Sequence, residues 1–395
     1  MKDITFSQRA KTIKQDLNKI KFKDLGKLEN KGILWSYFVV SSNLLTFLPH
    51  IKPENHYKIV KDIQYHRSLS EIDITYPSLI KKTKVYDKYN VVESCFSESY
   101  IFVSYHAGSY NLFIRHLANK NVPFCVVANN DYLEKHKITA QKLYSDVSVQ
   151  NKTLKNLQLF SAEDPKLLLK LIRKLREGVS VYIFIDGNSG TKKNDFNNDK
   201  NLLKINFLGH HIYARQGVAL LAYLSKSSIA TIIAKRNLNL NNTIKVNLIK
   251  TNKLIKKYNR NDFVSLITKK LYKDLESFLK NNYEQWSGWF YIHNFFNTEE
   301  LTENITFENK KFSFGTKKFI INEYYHLIKY DDENIFIVMK NNYRIEKIEK
   351  YLYEVLTYFE KPKIITSEKP LIINYQKVSW GFLKELIELN YIKLL

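Results

Sequence analysis

The chain has 395 residues and carries 62 Lys and Arg against 39 Asp and Glu, a formal net charge of +23. Its 44% hydrophobic and 14% aromatic residues are enough to build a buried core, which excludes an intrinsically disordered protein. The length exceeds that of one ordinary domain, and the charge predicts an acidic partner: a phospholipid surface, an acidic carrier protein or a nucleic acid. A nucleic acid is the least favoured, because the basic residues are spread along the whole chain without a recognised nucleic-acid-binding motif.

The cysteine content and the apolar segments indicate the compartment. Cys95 and Cys125 are too few for a four-cysteine zinc site or a disulfide framework, and a reduced cytoplasm is the simplest setting. The first residues, MKDITF, lack the apolar core of a signal peptide. The uncharged run 32–49 contains several polar residues, so it predicts a buried or membrane-grazing helix rather than a span. We therefore expect a cytoplasmic protein, at most peripheral on the inner face of the cytoplasmic membrane.

The first half of the chain predicts helices followed by alternating strands and helices. Residues 1–30 are typical of a basic amphipathic helix, and residues 31–95 are mainly helical. Short apolar runs then predict strands, and amphipathic runs predict helices between them: strands in 99–108, 123–130, 179–187, 229–235 and 244–250, and helices in 164–178 and 214–228. This alternation predicts a layered α/β domain with a mostly parallel sheet over residues 31–300, whose functional residues lie at the carboxyl ends of strands.

The pattern changes after residue 296. Residues 312–339 predict a β-hairpin, 344–361 a helix, and 380–395 a helix followed by a short strand. We expect a separate small α+β domain over residues 308–395. The predicted organisation is therefore an N-terminal helix, an α/β domain and this C-terminal domain.

A histidine after the first predicted strand is the sharpest chemical signal. In the sequence SYHAGSYN, His106 follows an apolar strand and precedes Gly108, which places an imidazole in an open loop. Asn111 begins the next helix, and its carboxamide oxygen could accept the Nδ1 hydrogen of His106 and leave Nε2 as a general base. The alternative is a strand-end histidine that is satisfied by the backbone.

Two later blocks carry further candidates. Asp186, Gly187 and Asn188 follow a second predicted strand and open a loop rich in hydrogen-bond donors. His210 and His211 are adjacent and would point to opposite sides of a strand, so no metal site is expected there. The block 283–296, YEQWSGWFYIHNFF, predicts a helix rich in Trp and Phe, for which core packing is the ordinary explanation.

These blocks, in this order, resemble the lipid A lauroyl/myristoyl acyltransferase family of the lysophospholipid acyltransferase superfamily. The family's first block has a His, a Gly two residues later and a carboxylate five residues after the His. Its middle block has a strand-end Asp, a phenylalanine-glycine element and a helix with Gly and Leu-Ala, and its last block contains Glu-Gln-Trp. The matching positions here are His106, Gly108, Asn111, Asp186, Gly187, 207–209, 215–222 and 284–286 with Trp289. The likeness covers roughly residues 30–296.

The resemblance implies a glycerolipid-acyltransferase-like fold and acyl transfer from a thioester, on acyl carrier protein or coenzyme A, to a hydroxyl or amine. It implies His106 and Asn111 as catalytic residues, and no metal or cofactor beyond the acyl donor. The substrate-binding residues that it implies, together with the nearby donors, are Gly108, Ser109, Asp186, Gly187, Asn188 and Arg215. A strongly acidic acyl carrier protein would suit a chain of charge +23.

One position departs from the family. Asn111 stands where the family has a carboxylate, and an amide can orient an imidazole but cannot stabilise an imidazolium by charge. We therefore expect slower chemistry, an acceptor more nucleophilic than a sugar hydroxyl, or a catalytically silent protein that binds an acyl group or its carrier.

The C-terminal order of elements faintly resembles PqqD-type peptide-binding winged-helix modules. That likeness implies a peptide or carrier acceptor, captured along an open strand edge. The alternative is a dimerisation or lid domain.

Overall fold

The structure is a computed structural model that describes residues 5–24, 31–130, 133–134, 158–187, 201–296, 316–322, 324–340, 344–366 and 369–395. The described helices are α1 (Phe6–Lys19), α2 (Lys31–Phe47), α3 (His56–Asp73), α4 (Pro77–Lys82), α5 (Val91–Ser94), α6 (Leu112–Asn119), α7 (Leu167–Arg176), α8 (Gly217–Ser225), α9 (Asn252–Lys257), α10 (Arg260–Asn282), α11 (Lys350–Tyr358) and α12 (Trp380–Glu388).

The described strands alternate with these helices in the first part of the chain and cluster after residue 315. They are β1 (Lys84–Asp87), β2 (Tyr100–Ser104), β3 (Phe124–Ala128), β4 (Gln158–Ser161), β5 (Ser180–Phe184), β6 (Leu202–Phe207), β7 (His210–Arg215), β8 (Ser228–Arg236), β9 (Asn242–Ile249), β10 (Thr316–Ile321), β11 (Tyr325–Lys329), β12 (Ile335–Met339), β13 (Ile345–Lys347), β14 (Lys363–Thr366), β15 (Leu371–Ile373), β16 (Gln376–Val378) and β17 (Ile392–Leu394).

The chain forms two compact units. The first contains residues 1–25 and 58–296, and the second contains residues 26–57 and 297–395. The sequence predicted that residues 31–57 belong to the α/β domain, whereas their contacts group them with the C-terminal part of the chain. Among the described residues, no helix is both long enough and apolar enough to cross a membrane.

The first unit is an α/β domain around a seven-stranded sheet in the order β1-β9-β8-β2-β5-β3-β4. Strands β8, β2, β5, β3 and β4 run parallel, while β9 and β1 run opposite to them. The fold class and the mostly parallel sheet agree with the prediction. Strand β2, with sequence YIFVS, is buried at every position, as is typical of a strand in the middle of a mostly parallel sheet.

Two local features complete the first unit. Strands β6 and β7 form a separate antiparallel hairpin that contacts α10, and the backbone N–H of Leu208 at its turn donates to Glu276 on that helix (2.7 Å). The segment after α10 was predicted to be one helix but forms three short 3₁₀ turns. The backbone of Trp286 is extended, and its indole lies where a side chain on Gly288 would be, so a continuous helix cannot form there.

The described residues of the second unit form small antiparallel sheets and three helices. One sheet has the order β14-β10-β17, another has the order β11-β12-β13, and β15 pairs with β16. Helix α2 is largely buried in this unit: Phe38 packs edge-on against Phe336 with ring centroids 4.7 Å apart, and the Thr46 hydroxyl lies 2.9 Å from the His326 ring. The apolar run 32–49 is therefore a core helix of this unit.

Candidate active site

Two neighbouring parallel strands bring His106 and Asp186 together. Ser104, the last residue of β2, is paired with Phe184, the last residue of β5. His106 and Asp186 each follow two residues later, at the carboxyl edge of the sheet. Because parallel strands end at the same edge, this register alone sets the two side chains side by side.

The Asp186 carboxylate is held by three N–H groups. Its Oδ1 lies 2.8 Å from Nδ1 of His106, its Oδ2 accepts the backbone N–H of His106 at 2.9 Å, and the Trp286 indole N–H donates to Oδ2 at 2.7 Å. Asp186 is only 3% exposed. An ionised carboxylate can only accept hydrogen bonds, so Nδ1 of His106 carries its hydrogen and Nε2 has a free lone pair.

The imidazole is rigidly placed but reachable. Its ring stacks on Phe184 at 4.6 Å between centroids with an interplanar angle of 29°, and the Tyr110 ring meets it edge-on at 5.3 Å. The side chain of His106 is 27% exposed, and Nε2 makes no hydrogen bond to any residue in the described part of the chain. The arrangement presents a proton acceptor of fixed orientation to an incoming group.

The segment around Trp286 supports the histidine loop. Both the backbone N–H and the hydroxyl of Ser287 donate to the His106 carbonyl at 3.0 Å, and the Gly108 N–H donates to the Gln285 carbonyl at 2.9 Å. Ala107 forms a β-bridge with Trp286. The sequence predicted core packing for this segment; Trp286 is indeed buried, but its N–H also donates to the carboxylate that orients His106. The Glu-Gln-Trp block of the family resemblance was the one signal for this position.

Gly108 is required by the close approach of two backbones. Its φ is +58°, and a Cβ at this position would lie 2.0 Å from the carbonyl oxygen of Ala234 on β8. No other residue type fits without moving the loop, so Gly108 fixes the shape of the site.

The predicted role of Asn111 is wrong. Its Nδ2 donates to the backbone carbonyl of Ser70 on α3 at 2.9 Å, and the side chain is buried at the start of α6. After Gly108 the chain turns towards α3, where the Ser70 hydroxyl donates to the Gly108 carbonyl. The Asn111 amide therefore ties α6 to α3, and Asp186, which was predicted to bind substrate, orients the imidazole instead.

The other predicted substrate-binding residues are distributed differently. Ser109 is fully buried and donates to Oδ1 of Asn242 at 2.5 Å, so it faces the interior. Gly187 lies against the imidazole: a Cβ built on it would be 3.8 Å from Cε1 of His106. Asn188 lies outside the described residues.

Arg215 ends β7 on the side of the site where Tyr272 is buried. Burial raises the pKa of the Tyr272 hydroxyl, and the charge of Arg215 partly offsets that rise. The Tyr272 hydroxyl donates to the Ile185 carbonyl, immediately before Asp186, at 3.2 Å. Arg215 is therefore close enough to Tyr272 for its charge to act on the tyrosine hydroxyl.

The thiols are chemically unsuited to act as nucleophiles. Cys95 and Cys125 are both buried, and burial raises the pKa of each thiol to about 12. A thiol with that pKa stays protonated at neutral pH. The part of the chain that the structure describes contains no cluster of three or more His, Cys, Asp or Glu side chains able to hold a metal ion.

Comparisons with known proteins give no match. No protein-family model matches the chain, and no curated protein sequence matches it significantly.

Proposed function

We propose that this chain is an acyltransferase that moves an acyl group from a thioester to a hydroxyl or amine, with His106 as the general base. The observation that carries the proposal is the Asp186–His106 pair, whose Nε2 is open at the carboxyl edge of a mostly parallel sheet. We also propose that the first unit has the glycerolipid-acyltransferase-like arrangement that the sequence motifs imply.

The proposed reaction is a single displacement. The acceptor donates its O–H or N–H to Nε2 of His106 and attacks the thioester carbonyl carbon, while Nε2 takes the proton. The new C–O or C–N bond forms, the C–S bond breaks, and the imidazolium returns the proton to the departing thiolate. Asp186 assists this reaction in two ways: it fixes the tautomer of His106 that carries its hydrogen on Nδ1, and its negative charge stabilises the imidazolium.

The surroundings of His106 support direct transfer to an external acceptor. Both cysteines are buried with raised thiol pKa values, and the Ser287 hydroxyl donates to the His106 carbonyl rather than to its ring. Within the described residues, no serine or threonine hydroxyl bonds to Nε2. The attacking group is therefore assigned to the acceptor.

The donor, acceptor and location follow from charge and from the resemblance. A net charge of +23 favours an acidic acyl carrier protein as donor, with acyl-coenzyme A as the other thioester source. A peptide or carrier acceptor held by the second unit, and a cytoplasmic location with peripheral membrane contact, complete the proposal.

A catalytically silent acyl- or carrier-binding protein is the competing function. This hypothesis was based on Asn111, because an amide cannot stabilise an imidazolium by charge. Asp186 supplies a carboxylate at 2.8 Å from Nδ1 of His106, so Asn111 is no longer a reason to favour a silent binding protein.

The test follows thioester loss by intact mass spectrometry. Purified chain is mixed with acyl-carrier-protein and acyl-coenzyme A thioesters, each with and without a simple amine or alcohol acceptor. We expect loss of one donor class by the wild type and by His211→Ala, an exposed-histidine control, and no loss by His106→Ala. Equal loss by His106→Ala contradicts the mechanism. Stable binding of an acylated carrier, with no loss under any condition, would instead establish the silent binding protein.

A further inference from the structure

A cavity lies at the same edge of the sheet as His106, beyond β8. Its volume is about 800 Å³, within the range of roughly 300–1,000 Å³ typical of small-molecule sites. The wall is formed by the end of β8, the start of β9, the start of β1 and the segment after α10. The lining residues are Lys82, Lys84, Tyr86, Lys235, Arg236, Asn237, Leu238, Asn239, Asn241, Asn242, Thr243, Asn281, Asn282, Glu284 and Gln285.

Strand register places two lysines in one row across this wall. Lys84 on β1 and Lys235 on β8 are both paired with Thr243 on β9. Paired positions on neighbouring strands share a face, and strands are about 4.8 Å apart, so the two lysine Cα atoms lie about 10 Å apart with the threonine between them. The Thr243 hydroxyl accepts from Asn237 at 3.2 Å and keeps its own hydrogen to donate.

The positive charge of this row is not neutralised by the protein. Lys84, Lys235 and the neighbouring Lys82 are exposed, and none of them forms an ion pair with a carboxylate in the described part of the chain. Glu284 is the one carboxylate of the lining, whereas Arg236 is already paired with Asp73. Three lysines against one glutamate leave an excess of two positive charges around the cavity.

Two buried donors in the same wall lack acceptors. Arg236 and Asn242 are each 2% exposed. Both terminal nitrogens of Arg236 bind Asp73, but its Nε has no partner within the described residues. Oδ1 of Asn242 accepts from Ser109, and its Nδ2 likewise lacks an acceptor there. Buried N–H groups are nearly always satisfied, so these two donors favour a ligand that carries acceptor atoms over an apolar one.

We propose that this cavity binds a phosphate group, carried either by a small soluble molecule or by a lipid headgroup. A phosphate offers several acceptor oxygens and a double negative charge, which matches ammonium groups, a hydroxyl and amide N–H donors. The proposal does not depend on acyl transfer, although the two sites are joined. The Gln285 side chain exchanges two hydrogen bonds with the Arg236 backbone (2.9 and 2.8 Å), and its carbonyl accepts from Gly108 of the His106 loop.

Isothermal titration with inorganic phosphate and with adenosine 3′,5′-bisphosphate, at ionic strength fixed with sodium chloride, tests the proposal. We expect the wild type to bind at least one of these probes, and Lys84→Gln/Lys235→Gln to bind it about 100-fold more weakly, about tenfold for each ammonium group removed. The matched control is Lys250→Gln/Lys269→Gln, which removes two exposed lysines away from the cavity and should bind like the wild type.

The source of the phosphate is distinguished by a flotation assay with phosphatidylcholine vesicles, with and without phosphatidic acid. Heat of binding on titration with a soluble probe would identify a free phosphorylated molecule as the ligand. Retention only on phosphatidic acid vesicles, lost in Lys84→Gln/Lys235→Gln but not in the control, assigns a lipid headgroup. Equal weakening by both double variants, or no binding to any probe, overturns the proposal.

Discussion

Two buried aspartates of the first unit differ in the partner that each one holds. Asp73 binds Arg236 through both carboxylate oxygens, at 3.1 and 2.6 Å, and neither side chain is exposed. Asp186 binds His106, whose side chain is 27% exposed. The first carboxylate is therefore part of a sealed ion pair, whereas the second is buried behind a group that meets solvent.

The Asp73–Arg236 pair therefore contributes to stability, whereas the Asp186–His106 pair is suited to chemistry. Both oxygens of the Asp73 carboxylate are bound by Arg236, so this carboxylate offers no group to a substrate, but loss of either partner leaves an uncompensated charge in the interior. The Asp186–His106 pair keeps one ring nitrogen open, so its carboxylate can act through the imidazole on an incoming proton. Substitutions at the two aspartates, and at residues that contact them or their partners, test this division of roles.

The largest expected effect is on turnover. Asp186→Asn keeps the shape of the side chain but removes the charge that favours the imidazolium. We expect thioester turnover to fall by about 10²–10⁴-fold, the range of general acid–base contributions, as measured by steady-state kinetics. Asp73→Asn, in the folded fraction, should retain turnover much closer to the wild type. An Asp186→Asn variant with wild-type turnover contradicts the assignment of Asp186.

The next effect is on stability. Asp73→Asn leaves the Arg236 guanidinium buried without its counter-charge, and we expect the free energy of unfolding to fall by about 3–5 kcal/mol. Urea unfolding, followed by circular dichroism, measures this change. Asp73→Leu combined with Arg236→Met removes both charges and should recover most of the loss. A single variant that is as stable as the wild type would show that the pair is not sealed.

A smaller effect is expected from Trp286, which connects the aspartate of the site to the core. Trp286→Phe keeps an aromatic ring but removes the N–H that donates to Asp186 at 2.7 Å. A hydrogen bond to a charged group contributes about 1.5–3 kcal/mol, so we expect about a 10- to 100-fold loss of turnover. Trp289→Phe is the control, since the Trp289 indole donates to the Tyr283 carbonyl instead.

The effect that is smallest per pH unit concerns His66, on α3. Burial lowers the pKa of His66 from 6.5 to about 3, and the nearby charges of Arg236 and Lys14 contribute to this lowering. The unfolded chain then binds one more proton than the folded chain between these two values. Stability should therefore fall as the pH falls from about 6.5 to about 3, by at most about 1.4 kcal/mol per pH unit from this group.

Urea unfolding of the wild type and of His66→Gln at several pH values measures this dependence. The variant lacks the titrating ring, so its stability should change less steeply over the same window. Identical slopes for the two proteins would show that His66 is not the group responsible.

Local sequence patterns predicted much of the first unit. Apolar runs that end in polar residues located β2, β3, β5, β8 and β9, and the placement of His106 and Asp186 just after strands identified both members of the pair. The short strands β1 and β4 were missed, because four residues of mixed burial carry too little periodicity to be recognised.

The partner of His106 could not be read from spacing along the chain. Asn111, five residues away, looked like the orienting group, whereas Asp186, eighty residues away, is the one that contacts the ring. Likewise, the assignment of helix α2 to the second unit depends on strands that lie almost three hundred residues later.

The sequence by itself therefore determined the class of fold and the residues able to carry chemistry, because both depend on short-range periodicity and residue type. The tertiary structure decided which of those residues meet. Parallel pairing of β2 with β5 sets the register that joins His106 to Asp186, and the turn after Gly108 sends Asn111 towards α3. Such pairings are long-range consequences of packing a whole sheet, which no local pattern encodes.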